Sequence, residues 1–386
     1  MNKSNKWTIT VGCFMSYFLF GFIDNMKGPI LPMLLSDMNY SYSFGGTIVF
    51  SEYTGFFIST FLAGLIADLL GKKSTLIIAG ICLILGVTGY AASSNLILFI
   101  GFIFFIGLGA GSLELSGSNI VSGIHKEKKG RYLNLLNAFY GIGSIIVPIL
   151  ISILFNLKTS WRTIYRYSLF VIIPITLYFI IMKLPGDTPK TRRTDKFNYK
   201  EILRLSLKTD ILFMYFIIFS YVATEIGMAT WLVEFLQKAK NVSSTASSLY
   251  LSIYFAGMTA GRLLGSLFVD KIGYLKSLLI FSSMALFCTV IGIFGPSETA
   301  IMLVLTGFCF SIIFPTSTAI VSEIPSKHSG TMLGIFFAFG GLGGMFGPWL
   351  IGVVNDLYGL QMGMSLNSIF CIFIIALVIV LMKKIC

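Results

Sequence analysis

Long apolar stretches separated by short polar breaks run the whole length of the chain, with few polar positions inside the stretches. A helix needs roughly 20 apolar residues to cross a bilayer core. The breaks delimit twelve segments of that order: 8–35, 43–69, 74–93, 96–123, 132–155, 164–183, 210–236, 246–269, 275–294, 299–322, 331–354 and 362–382. Only one connection is long, the polar run PGDTPKTRRTDKFNYKEILRLSLK that ends at Lys208. The pattern predicts an all-α membrane protein of twelve transmembrane helices in two pseudo-symmetric six-helix bundles. Residues 1–183 form the N-terminal bundle, 184–208 a cytoplasmic central loop and 209–386 the C-terminal bundle. The first apolar stretch starts basic like a signal peptide. It is too long for one and lacks a small-residue cleavage site, so it reads as a retained first helix.

The polar breaks themselves repeat. Gly64, Asp68, Gly71, Lys72 and Lys73 in GLIADLLGKK are matched by Ser266, Asp270, Lys271 and Gly273 in SLFVDKIG, and Asp68 and Asp270 are 202 positions apart. Gly55 and Gly257, Leu62 and Leu264, and Gly71 and Gly273 keep the same offset. A second stretch repeats at an offset of 200, with Gly130/Gly330, Leu133/Leu333, Ala138/Ala338, Gly143/Gly343 and Pro148/Pro348 among the matches. Two independent stretches at nearly one offset signal an internal duplication, the architecture of many secondary transporters. Gly64, Asp68, Gly71, Lys72, Lys73, Asp270 and Gly273 thus form a repeated polar motif between apolar spans, and Arg262 stands about two turns before the second copy. Pro148, Pro315 and Pro348 are expected to bend their helices.

Composition agrees with this division. Hydrophobic residues are 56% and charged residues 11% of the 386, which no water-soluble surface of this size tolerates. A net charge of +12 raises the question of nucleic acid, and the placement of the charges answers it. With the N-terminus inside, Lys3, Lys6, Lys72, Lys73, Lys126, Lys128, Lys129, Arg131, the central loop, Lys271, Lys276, Lys327, Lys383 and Lys384 fall on one side. Lys158, Arg162, Arg166, Lys238 and Lys240 fall on the other. That bias predicts a multi-pass protein of the plasma (inner) membrane with both termini cytoplasmic, and a basic face toward lipid headgroups rather than nucleic acid. The six cysteines are not spaced as metal ligands and read as packing thiols. No cofactor or metal is expected, and the chain reads as a monomer.

Ionisable residues within membrane spans are costly, by roughly 2.5–3.5 kcal/mol on insertion scales, and tend to mark ion or substrate pathways. Four lie well inside the segments: Asp24, Glu52, Glu114 and Glu225. Asp24 and Glu225 occupy nearly equivalent places in the two halves. A carboxyl in a half-dry cavity is suited to carrying a proton, and Glu114 comes first, Asp24 second, as the coupling group. Each has a structural alternative: Glu114 paired with Lys27, or Asp24 neutralised by Lys27 three residues on. A free Lys27 would instead suit an anionic substrate. Arg262 reads as a brace for the cytoplasmic gate. His125 and His328 read as solvated residues at helix ends. Asn119, Asn134 and Asn137 can donate and accept at once, as sugar hydroxyls require. Trp231 offers an apolar face for a sugar ring or, near its helix end, an interface anchor.

The doubled loop signature, the twelve spans and the central basic loop resemble the major facilitator superfamily over the whole chain. GFIDNMKGPILP, GSLELSGSN, LNLLNAFYGIG and TEIGMATWLVEFL are similar to its fucose/galactose/glucose:proton symporter branch. The resemblance implies the major facilitator fold and a charge-relay latch in the loop signature, weaker in the second copy where Ser266 and Tyr274 replace its glycine and first basic residue. It also implies substrate and proton binding at Asp24 and Glu114, and sugar contacts at Asn134 and Asn137. An acid expected nearer the proline of the first helix is replaced by Gly28.

The expected function is therefore proton-coupled uptake of a monosaccharide or similar small polar solute by alternating access, with sodium as the other possible coupling ion. Glu114, Asp24, Asn119, Asn134, Asn137, Glu225 and Trp231 are the candidate substrate and proton residues. Two alternatives stand beside it. An exporter of drugs or metabolites is disfavoured because Val147-Pro148 stands in helix 5 where such exporters often carry Gly-Pro. A transport-silent sensor or scaffold would have lost its cavity acids. No nucleotide loop, metal cluster or nucleophile with its base points to an enzyme. The chemistry is not symmetric, since Glu114, Asn119, Asn134 and Asn137 correspond to Phe314, Ala319, Gly334 and Phe337.

Overall fold

The computed structural model describes residues 3–125, 129–182, 184, 207–265, 269–322 and 329–385, and nearly all their side chains. Helices in chain order are α1 (Lys3–Asp24), α2 (Lys27–Met38), α3 (Tyr42–Leu70), α4 (Lys72–Ala92), α5 (Leu96–Ile124), α6 (Lys129–Asn156) and α7 (Trp161–Ile181). They continue with α8 (Thr209–Ala239), α9 (Ser244–Gly265), α10 (Val269–Ile272) and α11 (Tyr274–Phe294). A short 3-10 turn (Ser297–Ala300) precedes α12 (Ile301–Phe310), α13 (Ile313–Ser322), α14 (Ser329–Tyr358) and α15 (Leu360–Ile385). Ten spans among the described residues are long and apolar enough to cross a membrane; α3 and α9, at 29 and 22 residues, are the other two long helices.

Two predicted spans are each broken in the middle. The first divides at Asn25–Met26 and the tenth at Ser311–Ile312. In both cases a proline stands four residues beyond the first break residue, Pro29 after Asn25 and Pro315 after Ser311. A proline ring clashes with the carbonyl four residues back and cannot donate to it, so the ladder fails there. Pro148 and Pro348 instead lie within the unbroken helices α6 and α14.

The chain forms two compact units, one of residues 1–34 and 47–193, the other of 35–46 and 194–386. The segment 35–46, which precedes the rest of the second span, belongs with the second unit.

The duplication is visible in the packing of each unit. In the first, α1 packs on α6 and α4 on α7; in the second, α8 packs on α14 and α11 on α15. Glycine contacts repeat with them. A methyl group on Gly107 of α5 would collide with the carbonyl of Glu52, and one on Gly307 of α12 with that of Tyr254; Gly143 on Phe18 and Gly343 on Phe219 make a second such pair. Small residues bring backbones close where lipid supplies no hydrophobic force between helices. The loop signature repeats at the backbone as well. Gly71 caps α4 at φ 90°, ψ 158° and Gly273 caps α11 at φ 93°, ψ 145°, a region that penalises any Cβ.

Candidate functional site

The break in the first span sets up the most charged place in the first unit. Asp24 ends α1 and Lys27 begins α2. Lys27 Nζ lies 2.6 Å from Asp24 Oδ1 and 3.1 Å from Glu52 Oε2 of α3, with all three side chains at most 8% exposed. Asp24 also accepts from Tyr53 Oη at 3.2 Å and from Tyr140 Oη of α6 at 2.9 Å. Asn25 donates to Ser144 Oγ (2.9 Å) and to the Gly21 carbonyl (2.9 Å), holding the broken end of α1 against α6. Beyond the Lys27 ammonium, buried Glu52 Oε2 has no donor among the described residues. Two carboxylates therefore share one ammonium.

An aromatic wall continues from this cluster. Tyr140 packs on Phe20 at 4.7 Å between centroids, Phe20 on Phe56 at 5.7 Å, and Tyr53 on Phe56 at 5.7 Å. Tyr17 lies edge-on to Phe20 and hydrogen-bonds Ser118 of α5. Glu114, half-buried on α5, is close enough to Tyr17 to interact with its charge. Asn119 is exposed further along α5 and its carbonyl accepts from Lys72 Nζ at 3.3 Å. On α6, Asn134 and Asn137 are exposed, and the Asn137 amide donates to the Leu133 carbonyl of its own helix. At 100° per residue Asn137 points away from the exposed apolar face formed by Leu135, Ile142, Ile146, Ile149 and Ile153, and Asn134 lies to one side of it.

In the second unit Glu225 of α8 pairs with Arg262 of α9, Nη2 to Oε1 at 3.2 Å. Arg262, expected as a gate brace, is thus engaged with an intramembrane acid. Trp231 is completely buried; its Nε1 donates to the Pro348 carbonyl at 2.9 Å and its ring meets Tyr42 edge-on. Asp356 accepts from the backbone N–H of Tyr42 (2.8 Å) and Ser43 (2.7 Å), capping the start of α3. Tyr42 Oη donates to Glu234 Oε1 at 3.0 Å. Glu234, at 3% exposed, is a fifth intramembrane acid beyond the four expected. It shares a face of α8 with Gly227 and Thr230, a pattern that hydropathy alone hides.

At the predicted cytoplasmic end, Lys73 Nζ donates to the Ile180 carbonyl at 2.7 Å. The side chains of Gly64, Asp68 and Asp270, and all of Ser266 and His328, lie outside the described residues. His125 is not a solvated loop residue. It is 6% exposed, its Nε2 is 2.8 Å from Thr10 Oγ1, and its ring stacks on Tyr132. Burial and nearby Lys6 push its pKa down. Tyr53 and Tyr140 are the site residues that sequence reasoning missed, because a tyrosine in an apolar helix carries no periodic signal. Among the described residues no group of His, Cys, Asp and Glu could hold a metal ion, and five cysteines are free.

Comparison with known proteins follows the same lines. The model of the Major Facilitator Superfamily matches residues 13–298 and, in a second match, 214–384. A putative glucose/galactose transporter of Helicobacter pylori is 26% identical, over 92% of this chain and 91% of its own. Among solved structures, a point mutant of the nucleoside transporter NupG superposes with a TM-score of 0.80 at 15% identity, covering 98% of this chain and 99% of that one. A D-xylose-proton symporter superposes with a TM-score of 0.79 at 16% identity, covering 98% and 97%.

Proposed function

The chain belongs to the Major Facilitator Superfamily, and from that premise we propose that it imports a monosaccharide or similar small polar solute together with protons, by alternating access. The observation that carries the reading is the buried Asp24–Lys27–Glu52 cluster, in which Asp24 and Lys27 flank the break of the first apolar span and Glu52 reaches them from α3. The names of the Helicobacter relative and of the xylose symporter support a sugar, and the latter name supports a proton. The name of NupG makes a nucleoside the competing solute.

The division of labour follows from accessibility. Glu114, Asn119, Asn134 and Asn137 offer donors and acceptors on exposed or half-exposed positions of α5 and α6, where hydroxyls of an entering solute meet them. Half-buried Phe56 and Tyr140, backed by buried Phe20, offer ring faces for the apolar side of a sugar. Trp231 has no such face to offer, being fully enclosed. The deeper carboxylates are left for the coupling ion.

The test is uptake of labelled hexoses and nucleosides into proteoliposomes under an imposed proton or sodium gradient, with Glu114→Gln beside the wild type. The expected result is concentrative hexose uptake driven by protons, with Glu114→Gln reducing uptake about tenfold or more, as the loss of a charged hydrogen bond to solute implies. Nucleoside accumulation would replace the sugar. Efflux of cationic dyes without accumulation of any sugar would replace import by export.

A further inference from the structure

We infer that Glu52 takes up and returns the coupling proton, with Lys27 as the fixed counter-charge that it shares with Asp24. This rests on the proton-coupled reading above and adds to it the residue and the reason.

The first argument is charge. With both acids ionised and Lys27 protonated the cluster carries one net negative charge inside the membrane; one proton makes it neutral. A buried charge is tolerated when paired and hydrogen-bonded, and costly otherwise. The site therefore has two states that differ by one proton, and the neutral one suits passage through a closed, dry intermediate.

The second argument is the unequal hydrogen bonding of the two acids. Asp24 collects three donors, Lys27 Nζ at 2.6 Å, Tyr53 Oη at 3.2 Å and Tyr140 Oη at 2.9 Å. Glu52 has the shared ammonium at 3.1 Å from Oε2 and, among the described residues, no further donor on that oxygen, although the residue is only 4% exposed. An arriving proton displaces fewer donors on Glu52 than on Asp24. Its carboxylate becomes a carboxylic acid on proton entry and is restored on release, with no other bond made or broken.

The groups around Glu52 fit one carrier and one fixed pair. Tyr53 adjoins it on α3, its ring 4.9 Å from Lys27 Nζ. Tyr90 of α4 and Tyr165 of α7 are close enough to interact with its charge. Arg162 of α7 is turned to the carbonyls of Ala91 and Ser93. On the α5 side, Gly107 presents only backbone against the Glu52 carbonyl, which lets that helix pack over the site. Lys27 also argues for a proton over a sodium ion, because a metal cation at Glu52 would sit beside the ammonium and be repelled by it.

The experiment uses reconstituted full-length protein with labelled glucose and galactose as probes, comparing wild type and Glu52→Gln in two assays. Counterflow, which needs binding and alternation but no gradient, is expected to remain measurable in Glu52→Gln and to lose the dependence on pH that the wild type shows. Accumulation driven by a proton gradient is expected to fall to the level seen without one. Full accumulation by Glu52→Gln, or a wild-type pH profile of its counterflow, overturns the assignment. A wild type that exchanges either sugar yet ignores the proton gradient, or follows sodium instead, overturns the coupled reading before any variant is compared, so the two failures are separable. Should Glu52→Gln not insert, Glu52→Asp decides. It keeps a carboxyl at a changed distance from Lys27, so the midpoint of the pH profile is expected to move by about half a unit or more. An unmoved profile overturns the assignment.

Discussion

Lys27 shows how much one side chain decides. It is the only base within ion-pair distance of Asp24 and Glu52 among the described residues, and its side chain is 8% exposed. Replacing it by Met leaves two carboxylates facing each other in an apolar setting, and breaking a buried pair in this way costs about 3–5 kcal/mol. We expect Lys27→Met to lower the thermal midpoint in detergent sharply, and Lys27→Met with Glu52→Gln to recover a large part of the loss. If the double variant is no more stable than the single, the shared ammonium is not what holds the cluster. The sequence made Asp24, Lys27 and Glu52 visible as charges among apolar residues. It left open whether Lys27 paired with Asp24, with Glu114 or with a substrate, since residues three apart on one helix say nothing about a third residue on another. The partners on Tyr53 and Tyr140 were not legible at all.

At the scale of helices, the chain is governed by where small residues and prolines fall. Pro29 and Pro315 interrupt their spans four residues upstream, and the first of these breaks sets Asp24 and Lys27 on either side of it. Gly107 and Gly101 lie on the same helix, α5, and make a controlled comparison. A Cβ at Gly107 would strike the Glu52 backbone, whereas one at Gly101 would meet nothing within 4 Å. Gly107→Ala is expected to destabilise by about 1–3 kcal/mol through overpacking, and Gly101→Ala to be neutral or slightly stabilising. Equal thermal midpoints for the two variants would show that α3 and α5 do not need this approach. The spans and their order were legible from hydropathy because every crossing must be apolar over its length. The break at Asn25–Met26 was not, because hydropathy has no term for a missing backbone hydrogen bond.

At the scale of the molecule, the chain is a duplicated six-helix unit with one exchange. The segment 35–46 precedes α3 of the first unit and yet packs within the second, held by Asp356 on the Tyr42 and Ser43 amides. Each hydrogen bond to a charged group is worth about 1.5–3 kcal/mol. In Asp356→Ala, hydrogen exchange of these two amides is expected to speed up about tenfold or more, while exchange along the buried part of α8 stays unchanged; equal rates in variant and wild type would remove Asp356 from this role. By itself the sequence determined the membrane class, the twelve spans, the duplication and its repeated loop signature, because insertion into lipid and tight turns impose local rules that each stretch must obey alone. Only the tertiary structure decided which acid shares Lys27 with Asp24, that Arg262 meets Glu225, that Trp231 is enclosed and that 35–46 joins the other unit. Those are contacts between side chains far apart in the chain, and their energies depend on distance and burial, which no local pattern records.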